Sequence, residues 1–185
     1  GNKQNPAILR IHAIGTSLRD SALLTSPHFD YLYTQIQPEI EASIRQQAAG
    51  VLGQAKLSDD QLLKIAKEFL GKADAFILPR LMPVFQGAKN LEIGTALAGA
   101  LERSPGLDNF TEEYLHGLFS NYPPELNEAK DQLMAKLSAV QGERLALIHS
   151  IENSIVKGDI VRGRELFFGK AICYTCHVIG NEGGG

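Results

Sequence analysis

Residues 57–62 read Leu57-Ser58-Asp59-Asp60-Gln61-Leu62. Ser58 and Gln61 stand at the spacing of a capping box, in which the serine hydroxyl takes the third amide of a helix and the glutamine side chain reaches back to the cap. Leu57 and Leu62 close over the joint as a hydrophobic staple. The stretch predicts a firm helix start, and similar signals recur on both sides of it. Upstream, Asn5-Pro6 reads as a cap with proline in the first turn, followed by Ile8, Ile11, His12 and Leu18 at mostly helical spacing. Ser26-Pro27 opens a segment with Phe29, Leu32, Tyr33 and Ile36, and Pro38 opens another whose Ile40, Ile44, Val51 and Leu52 share a face. Downstream lie a segment at about 75–87 that Pro79 and Pro83 start or kink, helices at about 89–103 and Phe110–Phe119, one opening at Pro123-Pro124, and one from about Gly142 to Val156. The expected fold is all-α, with about nine helical segments over residues 6–157.

Composition agrees and narrows the function classes. The chain has 185 residues, 44% hydrophobic, with 21 acidic and 18 basic side chains and a net charge near −3. Its longest stretches without Asp, Glu, Lys or Arg are 11 residues, at 114–124 and 171–181. A membrane-spanning helix needs about 20 apolar residues, so none is expected. Interleaved charge without a Lys/Arg run supplies no footprint for a nucleic-acid backbone. Gly1 reads as a tag remnant and Gly183-Gly184-Gly185 as a cut end, any signal peptide having been trimmed.

Alternate segments open near residues 6, 39, 75, 109 and 141, a period of about 32–36 that suits stacked helix–turn–helix units. The alternative is an irregular helical bundle. Residues 43–53, Ser-Ile-Arg-Gln-Gln-Ala-Ala-Gly-Val-Leu-Gly, put an Arg ahead of small residues that let helices approach closely, and here the chain loosely resembles HEAT-like repeats, over roughly residues 6–137. That resemblance implies an α-solenoid of antiparallel helix pairs in a right-handed array. Ile44, Val51, Leu62, Ile65, Phe69, Leu97, Leu101, Leu115, Leu118, Leu133 and Ile148 are its expected core. Met82 and Met134 sit among apolar neighbours and read as packing. His12, His28, His116 and His149 are scattered singly and form no pair on one helical face, so they read as surface or cap residues.

Both cysteines fall in Cys173-Tyr174-Thr175-Cys176-His177, the C-x-x-C-H signature of c-type haem attachment. Two thiols three residues apart can each add to one porphyrin vinyl group, and the adjacent His177 can serve as proximal iron ligand. A structural zinc would need two more Cys or His ligands, and a thioredoxin-like pair would need a βαβ context; neither is visible. Upstream, Gly158 ends one helix and Asp159 caps the next, with Gly163 and Phe167 on one face.

Residues 159–185 resemble the opening of a class I cytochrome c domain, and a helical-repeat region running into it resembles the planctomycete-type multi-domain haem-binding proteins. The resemblance implies Cys173 and Cys176 as thioether residues, His177 as proximal haem-iron ligand, and Gly163 and Phe167 as packing residues. Five residues between Phe167 and Cys173 are slightly more than in the commonest cytochromes c. The family's Gly-Pro segment, its distal ligand and its C-terminal helix would lie past Gly185. Two domains are expected, a HEAT-like region over 1–157 and the start of a haem domain over 158–185. The implied role is electron transfer in an exported, periplasmic or equivalent compartment, without catalysis in these residues. The implied cofactor is haem c in the full-length protein, with the present chain expected to be haem-free. Implied partners are a redox protein or linked dehydrogenase domain, and a protein on the concave face of the repeat. The rival expectation is a helical-repeat binding module whose C-x-x-C-H holds no haem.

Overall fold

In the computed structural model, which describes residues 6–18, 23–155 and 158–184, helices dominate. They are α1 (Pro6–Ser17), α2 (Ser26–Gln35), α3 (Ala42–Gln54), α4 (Asp59–Lys64), α5 (Leu78–Leu81), α6 (Leu91–Arg103), α7 (Glu112–Leu118), α8 (Asn127–Ile155) and α9 (Ile160–Phe168). Side-chain caps set several starts. The expected box opens α4: Gln61 N–H donates to Ser58 Oγ at 3.3 Å, and Ser58 N–H donates to Gln61 Oε1 at 3.0 Å. Gln61 also donates through Nε2 to Leu24 O at 3.0 Å, while Leu24 N–H donates to Lys56 O at 2.9 Å. Both backbone polar groups of the buried Leu24 are thus paired, which an apolar environment demands. Asn90, Thr111 and Asp159 cap α6, α7 and α9 by accepting backbone N–H groups.

Prolines act as punctuation. Pro79 lies in the first turn of α5, and Pro83 opens the 3₁₀ segment Met82–Phe85 that continues it. Two expected starts shift. Thr25 takes the cap position of α2 without a side-chain bond, leaving Ser26 as the first helical residue. Pro38 falls in the turn before α3, which begins only at Ala42. The cap expected at Asn5 lies outside the described residues. Beyond α4 the chain widens into a π-helical turn, Ile65–Phe69, then a 3₁₀ turn, Leu70–Lys72. The change of pitch keeps Ile65, Ala66, Phe69 and Leu70 all buried.

Two compact units result, Gly1–Gln141 and Gly142–Gly185. In the first, α3 packs against α1, α2 and α5, and α6 against α4 and the segment that follows it. Close approach there depends on glycine. A Cβ at Gly53 would lie 1.9 Å from Arg80 O, and one at Gly94 would lie 2.6 Å from the Tyr122 ring. Expected core residues Ile44, Leu62, Ile65, Phe69, Leu97, Leu101, Leu115, Leu118 and Leu133 are buried; Val51 is half-buried against them. Met82 is fully buried, and Met134 packs at the edge. Tyr122 donates to Phe85 O at 3.4 Å, and burial, with the charge of Asp59, pushes its hydroxyl pKa up to about 12.

Two expectations fail on α8. The break foreseen at Gly142 is absent, because α8 runs unbroken through it for 29 residues. A lone interior glycine costs a helix only about 1 kcal/mol, less than abandoning the hydrogen bonds on either side. Ile148, placed in the core by spacing, is 40% exposed, and every residue from Gly142 to Ile155 is exposed. Spacing identifies a helix face; it does not supply a neighbour to cover it. Among the described residues no helix is long and apolar enough to cross a membrane.

Candidate functional site

The second unit builds the Cys-x-x-Cys-His segment from its helix outward. Asp159 Oδ1 accepts from Arg162 N–H at 3.0 Å and fixes the start of α9. The helix stops at Gly169, where a Cβ would lie 2.5 Å from Glu165 O. Ala171 N–H then donates to Leu166 O at 3.0 Å and Ile172 N–H to Gly169 O at 3.0 Å, winding the chain into a tight reversal. Ile172 adopts the left-handed region, φ 45° and ψ 29°, a conformation that costs a β-branched residue about 1–2 kcal/mol. Thr175 Oγ1 donates to Ile172 O at 2.7 Å and helps to hold it.

That reversal delivers the 3₁₀ turn Cys173–Thr175. The carbonyl oxygen of Cys173 accepts from Cys176 N–H at 3.2 Å and from His177 N–H at 2.9 Å. One oxygen therefore gathers the backbone of all three chemistry-bearing residues, at the i, i+3 and i+4 positions that share a side of a helical turn. Both cysteines are free thiols; Cys176 and His177 are exposed and Cys173 partly so.

A hairpin closes the unit. β1 (Val178–Ile179) pairs antiparallel with β2 (Glu182–Gly183), Val178 opposite Gly183 and Ile179 opposite Glu182. The connection is Gly180-Asn181, a composition that favours two-residue hairpin loops. Gly183 has φ 90°, and a Cβ there would lie 2.4 Å from His177 O, so the strand can approach the turn only as glycine. Gly184 N–H donates to Tyr174 O at 2.7 Å. Arg164 of α9 grips Glu182 with both terminal nitrogens, Nη2 to Oε1 at 3.0 Å. This hydrogen-bonded pairing holds the Glu182 carboxyl below its usual value and raises that of Arg164. Arg164 also stacks 4.8 Å over Phe168, which lies 5.7 Å from Tyr174.

Beside the turn, Ile160, Gly163, Phe167, Phe168 and Ile179 line an apolar recess of about 350 Å³, bordered by the Arg164–Glu182 pair. Neither cysteine nor His177 lines it. Gly163, expected to admit a packed neighbour, has open space around its Cβ position, and Phe167 is partly exposed. The isolated histidines remain separate: His12 and His116 are exposed, His28 is half-buried, and His149 Nδ1 lies 3.2 Å from Glu152 Oε2. No group of three or more His, Cys, Asp or Glu side chains converges on a metal position among the described residues.

No protein family, no curated protein and no solved structure matches the chain. The assignment of a role therefore rests on the turn itself.

The Arg164–Glu182 clamp and the hairpin are the features of the site that motif reading missed. Their signal was Gly180-Asn181 followed by Gly183 and Gly184, with φ of 63° at Gly180, 90° at Gly183 and 79° at Gly184.

Proposed function

We propose that the Cys173–His177 turn attaches a c-type haem, with Cys173 and Cys176 forming thioethers and His177 the proximal iron ligand, and that the chain belongs to an exported electron-transfer protein. The observation that carries the reading is the convergence of Cys176 and His177 backbone N–H groups on Cys173 O, which presents two free thiols and an imidazole on one turn. The donor set fits the group: two cysteines free of any disulfide at the sequence spacing of thioether attachment, and one exposed imidazole next to the second of them. Bound haem would supply one-electron Fe(III)/Fe(II) chemistry. The chain's own residues would fix it covalently, orient it through the α9–hairpin frame, and offer Phe167, Phe168 and Ile179 as apolar cover. The role proposed for the group so held is transfer of electrons.

The first unit, in this reading, is a HEAT-like solenoid that positions the haem module or its redox partner. The successive packing of α1, α3 and α5 supports it. Thioether assembly belongs to exported compartments, hence a periplasmic or equivalent location. The test is substitution in the natural gene product secreted with a cytochrome maturation system. Cys176→Ser should leave at most one thioether, and His177→Ala should destroy the normal axial spectrum. Retention of the parent spectrum by both variants contradicts the assignment.

A further inference from the structure

Among the described residues, Ile172 is the one non-glycine with a positive φ, and it stands directly before Cys173. The left-handed region is open to Gly, and to Asn or Asp at small cost, whereas a β-branched side chain there crowds its own backbone. Elsewhere the fold meets positive φ with glycine, at Gly87, Gly180, Gly183 and Gly184. The backbone of Ile172 is nonetheless firmly tied. Its N–H donates to Gly169 O at 3.0 Å, and its carbonyl oxygen accepts from Thr175 N–H at 3.2 Å and from Thr175 Oγ1 at 2.7 Å. Those bonds use only main-chain atoms of residue 172, so Asn or Gly would make them equally well. They account for the conformation and not for the isoleucine.

The side chain does not account for itself by packing either. Ile172 is 61% exposed, and it belongs neither to the core of the first unit nor to the lining of the recess beside α9. A residue that is both strained and wet loses twice, and strain of this kind is kept where a ligand is held. The neighbouring thiol narrows the ligand. A metal ion or a small polar group on Cys173 would gain nothing from a branched hydrocarbon next to it; a flat apolar ring system would. Consecutive Cα atoms lie about 3.8 Å apart, so a ring tethered to Cys173 by one thioether is within reach of Ile172.

We infer that Ile172 is a haem-contacting residue: its strained backbone keeps an apolar side chain beside Cys173, and that side chain covers the edge of the porphyrin joined to the Cys173 sulfur. The inference rests on the attachment proposed for Cys173, Cys176 and His177 and adds a residue that the Cys-x-x-Cys-His spacing does not contain. Its consequence is electronic. Solvent exposure is one of the levers that set a haem potential, and Ile172 keeps water from one edge of the ring. An Asn at this position would relieve the backbone and bring water with it.

The test compares two substitutions in two forms of the protein. Ile172→Asn suits the left-handed region and is polar, while Ile172→Val keeps both the branching and the apolar surface. In the 185-residue chain produced without haem, Ile172→Asn should slow hydrogen exchange at the Cys176 and His177 amides about fivefold or more as the strain is relieved, and Ile172→Val should not. In the natural gene product secreted with a cytochrome maturation system, Ile172→Asn should cut the ratio of ferrous to ferric haem at the parent's midpoint potential about threefold or more, because admitted water favours the more highly charged ferric form. Ile172→Val should keep the parent ratio. One substitution that steadies the empty turn and disturbs the loaded one separates a contact residue from a structural one. A parent protein without covalent haem refutes the attachment and this inference with it. Covalent haem whose ratio is the same in the Asn variant, or Asn-variant amides that exchange no more slowly, overturns the inference and leaves the attachment standing.

Discussion

At the scale of single residues, the tightest constraint is Gly53. A methyl group there would sit 1.9 Å from a backbone oxygen, Arg80 O, which no rotamer change can relieve. Gly53→Ala must push α5 away from α3 and should cost about 3 kcal/mol, lowering the melting temperature by roughly 5–10 °C. Gly142→Ala, in the exposed middle of α8 with nothing within 4 Å of its Cβ position, should do the reverse and add about 0.5–1 kcal/mol to helix stability. Thermal unfolding followed by circular dichroism checks both; equal melting temperatures for the two variants would contradict the packing described. The sequence made some of these residues readable and others not. Ser58 and Gln61 declared their cap because the interaction spans three residues. The same Gln61 also binds Leu24 O across 37 residues, and Arg45 finds Asp74 across 29. No local pattern encodes such pairs.

At the scale of elements, capping and proline chemistry made most helix starts legible, while α8 shows the limit of that grammar. Gly142 reads as a stop only if a stop residue follows it; Glu143-Arg144-Leu145-Ala146 are good helix formers, so the helix continues. Ile148 shares the helical face of Leu133 and Leu137, but burial depends on what packs there, and that is not periodic information. The candidate site was half legible. Its three reactive residues follow from spacing, whereas the clamp that braces them pairs Arg164 with Glu182, 18 residues apart. The clamp carries a pH signature. Arg164 lowers the Glu182 pKa in the folded unit beneath its ordinary 4.5. The contribution is therefore complete above the unfolded value and is lost as pH falls through the depressed folded one. Amide resonances of Val178 and Gly184 should show the hairpin loosening in that acid window, and Glu182→Gln should show the same loosening already at neutral pH. A hairpin unchanged in the Gln variant would mean that the backbone bonds alone hold it.

At the scale of the whole molecule, a helical first unit and a small second unit divide the labour. The first buries an extensive apolar core. The second buries little and instead exposes two thiols and an imidazole on a braced turn, an arrangement with a cost in strain at Ile172 and no return in packing. Covalent haem is the ligand we propose for it, and the pyridine haemochrome spectrum of the natural gene product, secreted with a cytochrome maturation system, tests that claim most directly. The account predicts one c-type haem per chain, retained through acid-acetone extraction and abolished by replacing both Cys173 and Cys176 with Ser, while the 185-residue chain produced without such a system carries none. A secreted, matured protein with no covalent haem, or haem that survives the loss of both thiols, would contradict it.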